Sequence, residues 1–315
     1  MHRCGYLVHR RSRLFRVSLS AVTLAAAICL CAPSAAQELA PRAYWPTPDG
    51  TNVLLLSYQK STGDIVTDPS LPLVGVESDI DVLQLSYQRT FSLRGRTATL
   101  QVSQPYSSGK TEGFVDGEFL QRKVSGLADT RVRLAVNLKG APSMDSAEFQ
   151  ALRQNPRPIF GASVIVQAPT GEYESDKVIN IGSNRWAVKP AIGMIWPLRP
   201  TWLLEVEVGA WLFGDNTDFL GETREQDPIL STDFHLVKRI QPGYWVSLDA
   251  NFYSGGRTGI GDILSDNLQR NSRIGITAVF PFKGGHALRA SFSTGAVTES
   301  GGDYDVYSVS YVRAW

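Results

Sequence analysis

The chain has 315 residues, of which 43% are hydrophobic, and its 31 Lys and Arg side chains against 30 Asp and Glu side chains give a formal net charge of +1. This balance provides no basic footprint, which excludes a typical nucleic-acid-binding protein. Cys4, Cys29 and Cys31 all lie near the N-terminus, so we expect no disulfide, thiol nucleophile or cysteine-bound metal in the remaining chain.

Residues 1–36 have the composition of a cleaved secretory signal peptide. Five arginines and no acidic residue accompany the apolar stretch "VSLSAVTLAAAICLC", and Ser34 and Ala36 fit the small-x-small cleavage rule. The apolar stretch is too short and wrongly flanked for a membrane-spanning helix. We therefore expect an exported protein, cleaved after Ala36, whose remaining residues carry 26 basic against 30 acidic side chains.

Residues 37–52 form a short predicted periplasmic lead-in, and from residue 53 onward apolar and polar residues alternate. Such alternation is typical of half-buried β-strands. It recurs in about twelve segments, with uncertain ends: 53–60, 79–91, 96–106, 127–139, 159–169, 185–197, 202–213, 228–240, 244–254, 271–281, 286–298 and 303–315. Long polar connections nearly alternate with short turns, and the long exception at 140–158 contains a candidate helix in "SMDSAEFQAL".

Two all-β architectures fit this pattern. In a soluble β-sandwich the apolar strand faces meet another sheet, whereas in an outer-membrane barrel they meet lipid and the polar faces line a lumen. Four features favour the barrel. The polar faces carry charges near the middle of the strands, and long and short loops segregate to opposite ends. Aromatic residues lie near strand ends, and the number of strands is even. The fold predicted for residues 53–315 is thus an antiparallel transmembrane β-barrel of about twelve strands.

The chain ends in "VYSVSYVRAW", which has large apolar residues on one face and small residues on the other. We interpret this segment as the closing strand, which pairs with the first strand so that no open edge remains in lipid. A terminal aromatic residue after alternating apolar residues also resembles the C-terminal signature by which outer-membrane barrels are recognised for assembly. The residues concerned are Tyr307, Val309, Tyr311 and Trp315.

Several stretches resemble a family of outer-membrane transporters associated with the MetA pathway of phenol degradation. They are "GLADTRVRLAVNLKGAP", "INIGSNRWAVKPAIG", "GAWLFGDNTDF", "REQDPILSTDFHL", "GYWVSLDANFYSGGRT", "NSRIGITAVFPF" and "STGAVTESGGDYD". The resemblance spans roughly residues 40–315, and no single motif carries it. It implies a barrel in the outer membrane and uptake of aromatic compounds, without assigning a role to any individual residue.

Two other features of the sequence invite a chemical interpretation. The loops "SDNLQRNSR" and "GDNTDF" offer oxygen ligands for Ca²⁺, but neither has a known ligand spacing, so we predict no metal. Ser231, Asp233 and His235 share one strand face, where steps of roughly 7 Å exceed the reach of about 3 Å between a nucleophile and its base. A barrel hydrolase is therefore the third-ranked function, and we predict neither enzymatic activity nor a cofactor.

Charges on the predicted inner face give the best functional signal. Opposed charge rows in a pore select solutes by charge and hydrogen bonding, whereas in a narrow barrel the same residues pair and fill the lumen. The sequence leaves both alternatives open. We predict a porin-like channel for passive uptake of small solutes, with aromatic compounds as candidates, or alternatively a plugged structural or adhesive barrel whose external loops bind partners. Its expected partners are the bilayer, the barrel-assembly machinery and a small solute. The predicted lumenal charges are Arg131, Arg133, Arg185, Lys189, Glu205, Glu207, Asp233, Asp249, Arg273 and Arg289.

Overall fold

The computed structural model describes residues 41–64, 73–115, 118–298 and 303–315. The predicted signal peptide over residues 1–36, its cleavage site and residues 37–40 of the lead-in lie outside this part. The described residues form helix α1 (Ser146–Gln154) and the following strands: β1 (Asn52–Gly63), β2 (Leu73–Leu93), β3 (Arg96–Val115), β4 (Glu118–Leu127), β5 (Thr130–Lys139), β6 (Ile159–Ala168), β7 (Ala187–Arg199), β8 (Trp202–Phe213), β9 (Asn216–Phe219), β10 (Glu222–Gln226), β11 (Ile229–Gln241), β12 (Tyr244–Gly255), β13 (Thr258–Ile260), β14 (Ile263–Leu264), β15 (Gln269–Phe282), β16 (His286–Val297) and β17 (Tyr304–Ala314). Within the described ranges, no helix is long and apolar enough to cross a membrane.

The strands close into a twelve-stranded antiparallel barrel, which confirms the predicted fold. Neighbours in the wall follow chain order, and β4 and β5 together act as one wall strand because both pair with β3. Strand β17 closes the ring against β1, in a register that runs from Val53 opposite Ala314 to Gly63 opposite Tyr304. The backbone N–H of Trp315 donates to the carbonyl oxygen of Asn52 at 3.0 Å, so the pairing continues to the last residue of the chain.

Strands β2 and β3 extend well beyond the predicted segments 79–91 and 96–106. Residues 107–115 remain paired with β2 on one side and with β4 on the other, so the wall is taller here than elsewhere. The sequence predicts a long polar connection over residues 107–126, between the segments 96–106 and 127–139. Its described residues instead continue the wall as a hairpin, in which the backbone N–H and C=O groups of β3 pair with those of β2 and β4.

Large apolar side chains cover the outside of the barrel, while small polar ones face inward. Leu85, Ile192 and Leu248 are 52%, 67% and 62% exposed, and they belong to a continuous apolar surface of a kind that water-soluble proteins rarely expose. Their strand neighbours Ser86 and Ser247 are buried. The outer face therefore has the apolar character that acyl chains require, and the alternation of each strand sets the two environments apart.

We expect Leu248→Arg to destabilise the folded barrel by about 2–4 kcal/mol, because it places a guanidinium in the acyl-chain region. Denaturant unfolding in phospholipid vesicles measures this difference. Ile263→Arg is the matched control, since Ile263 is 75% exposed but lies on β14, outside the barrel wall. Equal stability of the two variants would contradict the assignment of the outer face to lipid.

The two ends of the barrel differ. One end has short turns, such as Arg94–Gly95 between β2 and β3, where both residues have the positive φ angles that a tight hairpin requires. This is the periplasmic end in outer-membrane barrels, whose extracellular loops are longer. At the other end β9, β10, β13 and β14 form a separate four-stranded sheet.

Helix α1 lies at the end with the short turns; it overlaps the predicted helical segment "SMDSAEFQAL" and continues two residues beyond it, to Gln154. The Asp145 carboxylate accepts from the backbone N–H groups of Ala147 and Glu148, and the Glu148 side chain accepts from the N–H of Asp145. This capping box satisfies N–H groups that a helix N-terminus otherwise leaves unpaired. Leu152 of the helix is buried in a cluster with the N-terminal segment and the barrel wall, namely Tyr44, Ala135, Ala141, Met144, Ile159, Ile195, Leu203 and Val237.

Candidate functional site: a charged lumen with an inserted N-terminal segment

The barrel encloses a cavity of about 600 Å³ whose two walls differ in chemistry. Strands β1–β3 and β16–β17 contribute mainly small polar side chains, including Ser57, Gln59, Gln84, Ser86, Gln101, Ser103, Ser291, Ser293, Ser308 and Ser310. Strands β5–β11 contribute most of the charges. A solute in this cavity would therefore meet, on one side, a hydrogen-bonding surface whose only charged side chain among the described residues is Arg289 of β16, and several fixed charges on the other.

The charges on the second wall form a connected chain across four strands. Glu207 on β8 lies 3.5 Å from Arg133 on β5 and 3.2 Å from Lys189 on β7. Lys189 in turn lies 3.5 Å from Asp233 on β11. The alternation of each strand points these side chains to the same side of the wall, and the antiparallel register aligns Glu207 with Asp233. Each charge thus has an opposite neighbour, which offsets part of the cost of removing it from bulk water.

Residues 41–45 enter the lumen and bind this charged wall. The guanidinium of Arg133 donates to the carbonyl oxygen of Ala43 at 3.2 Å, and the side-chain amide of Asn137 donates to the carbonyl oxygen of Tyr44 at 3.1 Å. The Tyr44 hydroxyl and the Ser163 hydroxyl lie 3.0 Å apart. Residues 42–45, which we call the N-terminal plug, therefore occupy part of the pore cross-section.

Arg42 anchors the plug to a buried carboxylate. Its backbone N–H donates to Glu205 at 2.6 Å, and its guanidinium lies 3.7 Å from the same carboxylate and 4.2 Å from the Trp45 ring centre. Burial lowers the pKa of the Arg42 guanidinium to about 10, and the Glu205 charge opposes that shift. Arg42 is thus protonated at neutral pH and offsets the charge of Glu205.

The opposite end of the cavity is covered by the connection between β6 and β7. Ile179, Asn180 and Ile181 line the cavity, and Ile179 packs with Phe219 of the four-stranded sheet. The N–H of Leu220 donates to the carbonyl oxygen of Ser175 at 2.7 Å, which ties this connection to the sheet. Protein segments therefore narrow the lumen from both ends.

The structure places the ten predicted lumenal charges in three settings. The cavity is lined by Arg131, Arg133, Lys189, Glu205, Glu207, Asp233 and Arg289. Asp249 is buried between His235, whose Nδ1 lies 2.8 Å away, and Thr277, whose hydroxyl donates to it at 2.7 Å. Arg185 donates to Gln226, and Arg273 donates to Ser293, so these two serve contacts beside the cavity.

The strand-face group Ser231, Asp233 and His235 is not brought together as a catalytic set. The Ser231 hydroxyl donates to the carbonyl oxygen of Gly209 at 3.4 Å, while His235 pairs with Asp249 on the neighbouring strand. Asp233 accepts from Asn251 and lies near Lys189. Across the described ranges, no group of three or more His, Cys, Asp or Glu side chains is arranged to hold a metal ion.

The residues of the predicted assembly signal lie on the outer face of β17 and at its end. Tyr307, Val309, Tyr311 and Trp315 are between 43% and 57% exposed. Their role in assembly stays a prediction, although their position leaves the side chains accessible along the β17 face that meets lipid.

Sequence reasoning did not single out the plug or the slot that receives it. Gly161 on β6 and Gly193 on β7 are paired across the two strands, and a Cβ atom on either would overlap the Tyr44 ring. Glycine within a strand often marks the close approach of another group. Two glycines on the inner faces of neighbouring segments were the available signal, but only the register shows that they are opposite each other.

These features define a twelve-stranded outer-membrane β-barrel with a partly occluded lumen, and the protein resides in a bacterial outer membrane. A family model described as "Putative MetA-pathway of phenol degradation" matches residues 58–302, and the chain belongs to this family.

Three solved structures are similar to this chain to different degrees, and the first of them has the same fold. An outer membrane channel from Pseudomonas putida F1 is 22% identical, with a TM-score of 0.72 over 88% of this chain and 100% of that chain. The β domain of the Bordetella autotransporter BrkA is 12% identical, with a TM-score of 0.48 over 85% of this chain and 100% of that chain. The toluene transporter TodX of Pseudomonas putida is 13% identical, with a TM-score of 0.43 over 90% of this chain and 94% of that chain. No protein of curated function matches the sequence at a significant level.

Proposed function

We propose that this protein is a passive outer-membrane channel for small solutes, with aromatic compounds among them. The observation that carries the proposal is the cavity of about 600 Å³ inside a closed barrel, between a wall rich in Ser and Gln and a wall that carries most of the charges. Such a lining offers hydrogen bonds to a solute without binding it too tightly for release. Membership of a family named for phenol degradation supports the aromatic class.

The charged wall gives this channel its selectivity. Arg131 lines the cavity near the extracellular end of β5, where its guanidinium donates to Gln167 at 2.9 Å. Lower in the lumen, Arg133, Lys189 and Glu207 form the chain of pairs described above. A solute with a polar substituent on an apolar ring can form hydrogen bonds with these charged side chains one after another as it passes. An aliphatic solute of the same size without polar substituents would displace water from the charges and offer no hydrogen bond in return.

Residues 37–315, the chain that remains after the predicted cleavage and is called the mature chain below, test the proposal when refolded into liposomes and planar bilayers. We expect discrete ionic currents and release of entrapped 4-hydroxybenzoate faster than release of heptanoate, which has the same carboxylate and a similar size but no ring hydroxyl that could replace contacts in the lumen. Vesicles with heat-denatured protein give the background. An intact barrel that passes neither ions nor solutes, both with the plug and after its removal, would overturn the channel function.

An alternative is a plugged barrel whose external surface binds a partner. It is favoured by the inserted N-terminal plug and by Ile263 and Leu264, which are 75% and 72% exposed on the four-stranded sheet. Zero conductance in the preceding experiment, both for the full chain and after removal of the plug, would support this alternative. Recognition of the β17 outer face by the barrel-assembly machinery is proposed for either function.

A further inference from the structure

The Tyr44 ring fills a slot in the barrel wall that is shaped for a flat ring. Tyr44 is only 4% exposed, and its ring lies against Gly161 and Gly193, which face each other on β6 and β7. The nearest atoms to a Cβ on either glycine all belong to Tyr44. The slot therefore exists because two side chains are missing at one level of the wall, and the Tyr44 ring lies in the space they would occupy.

Polar groups stand at the positions that a phenol requires. The Ser163 hydroxyl lies 3.0 Å from the Tyr44 hydroxyl, and the Arg133 guanidinium lies 5.4 Å from the ring centre. A cation at this distance is attracted to the face of an aromatic ring. Burial and the nearby Glu207 carboxylate raise the pKa of the Tyr44 hydroxyl, so the slot holds a neutral phenol and not a phenolate.

The ring that occupies the slot is carried by a segment outside the barrel ladder. Residues 42–45 form a single turn, closed by the Trp45 N–H donating to the carbonyl oxygen of Arg42 at 3.1 Å. Beyond it, the N–H of Gly50 donates to Thr90, which fixes the segment to the rim. The plug can thus leave the lumen without breaking any strand pairing, and Tyr44 borders the open cavity from which a solute would arrive.

We propose that the slot formed by Gly161, Gly193 and Ser163 is a binding subsite for a neutral monocyclic phenol, and that Tyr44 occupies it in place of the solute while the lumen is closed. The side chain of tyrosine is itself a para-substituted phenol, so a site complementary to it is complementary to that class of solute. This inference deepens the proposed channel function, on which its physiological meaning rests. Solute and plug then compete for one site.

Binding of p-cresol to the refolded mature chain in detergent micelles, followed by calorimetry, tests the subsite directly. Tyr44→Gly should bind p-cresol at least about tenfold more tightly than the unaltered chain, because occupancy by Tyr44 leaves only a small fraction of slots free. Toluene, which lacks the hydroxyl, should bind Tyr44→Gly more weakly than p-cresol does, and Ser163→Ala in the same background should narrow that difference.

The double variant Tyr44→Gly/Gly161→Ala is the matched control. The three atoms nearest to the added methyl group all belong to Tyr44, which this variant lacks, so we expect the barrel to fold while p-cresol binding falls back to the level of the unaltered chain. Equal binding by the single and double variants, or toluene bound as tightly as p-cresol, would overturn the subsite.

The binding measurement also separates this proposal from the channel function. If the protein conducts but p-cresol binding does not depend on the slot, the subsite is refuted and the channel function is still supported. Slot-dependent binding in a protein that conducts neither with nor without the plug would support the subsite as a site of ligand binding and refute transport.

Discussion

Deleting residues 37–45, so that the mature chain begins at Pro46, should raise the single-channel conductance roughly threefold, since current through a pore follows its open cross-section. The deletion removes the plug and its contacts with Glu205, Arg133, Asn137 and Ser163. It leaves the attachment of Asp49 and Gly50 to the rim, where their N–H groups donate to Met144 and Thr90. Planar-bilayer recordings at fixed salt measure the effect.

A deletion of residues 37–40 alone is the control for shortening the N-terminus. It keeps Arg42 and Tyr44 and should leave the conductance at the value of the full mature chain. If the longer deletion gave the same conductance as the control while the barrel remained folded, the plug would not obstruct the conducting path.

Replacing Glu207 by Gln should lower the free energy of unfolding by about 3 kcal/mol, because it leaves two largely buried cations without their shared partner. Arg133 and Lys189 lie 3.5 Å and 3.2 Å from this carboxylate, and among the described residues only Lys189 has a second carboxylate, that of Asp233, within 4 Å. The same change adds net positive charge to the lumen, so the reversal potential in a salt gradient should shift toward anion preference. Denaturant unfolding in lipid vesicles and bilayer recordings give the two readouts.

Glu112→Gln provides the matched control for Glu207→Gln. Glu112 pairs with Lys110 at 2.5 Å, but these side chains are 26% and 40% exposed on the extended part of β3. A surface pair of this kind contributes at most about 1 kcal/mol. An unchanged reversal potential for Glu207→Gln would show that the charge chain lies outside the conducting path, and equal stabilities of the two variants would refute its structural role.

The barrel itself could be predicted because its determinants are local. A two-residue alternation specifies a strand and its two faces, and the apolar, Trp-terminated last segment indicates a strand that must be paired. The capping residues Asp145 and Glu148 likewise lie three positions apart, so helix α1 could be recognised from a short stretch. The predicted segments for β2 and β3 are shorter than the observed strands, because the apolar–polar alternation weakens where these strands extend beyond the lipid belt.

The arrangement inside the lumen could not be predicted because its partners are distant along the chain. Arg42 and Glu205 are separated by 163 positions, and Tyr44 and Ser163 by 119. Alternation assigns each charge to the inner face, but it does not say at what height a side chain lies or which neighbour it meets. That is why Arg185 and Arg273 were predicted with Lys189 and Glu207, although the structure gives them separate partners.

The hydrogen bonds between Asn52 and Trp315 join the two edges of the wall at the rim where the plug is attached. A polypeptide released before its final strand is made would expose the whole unpaired edge of β1 and would have no ring into which the plug could insert. Completion of synthesis is therefore a precondition for sealing the pore. Cells that carry a prematurely terminated copy of this gene should accumulate an unassembled, protease-sensitive product, and not a leaky outer membrane.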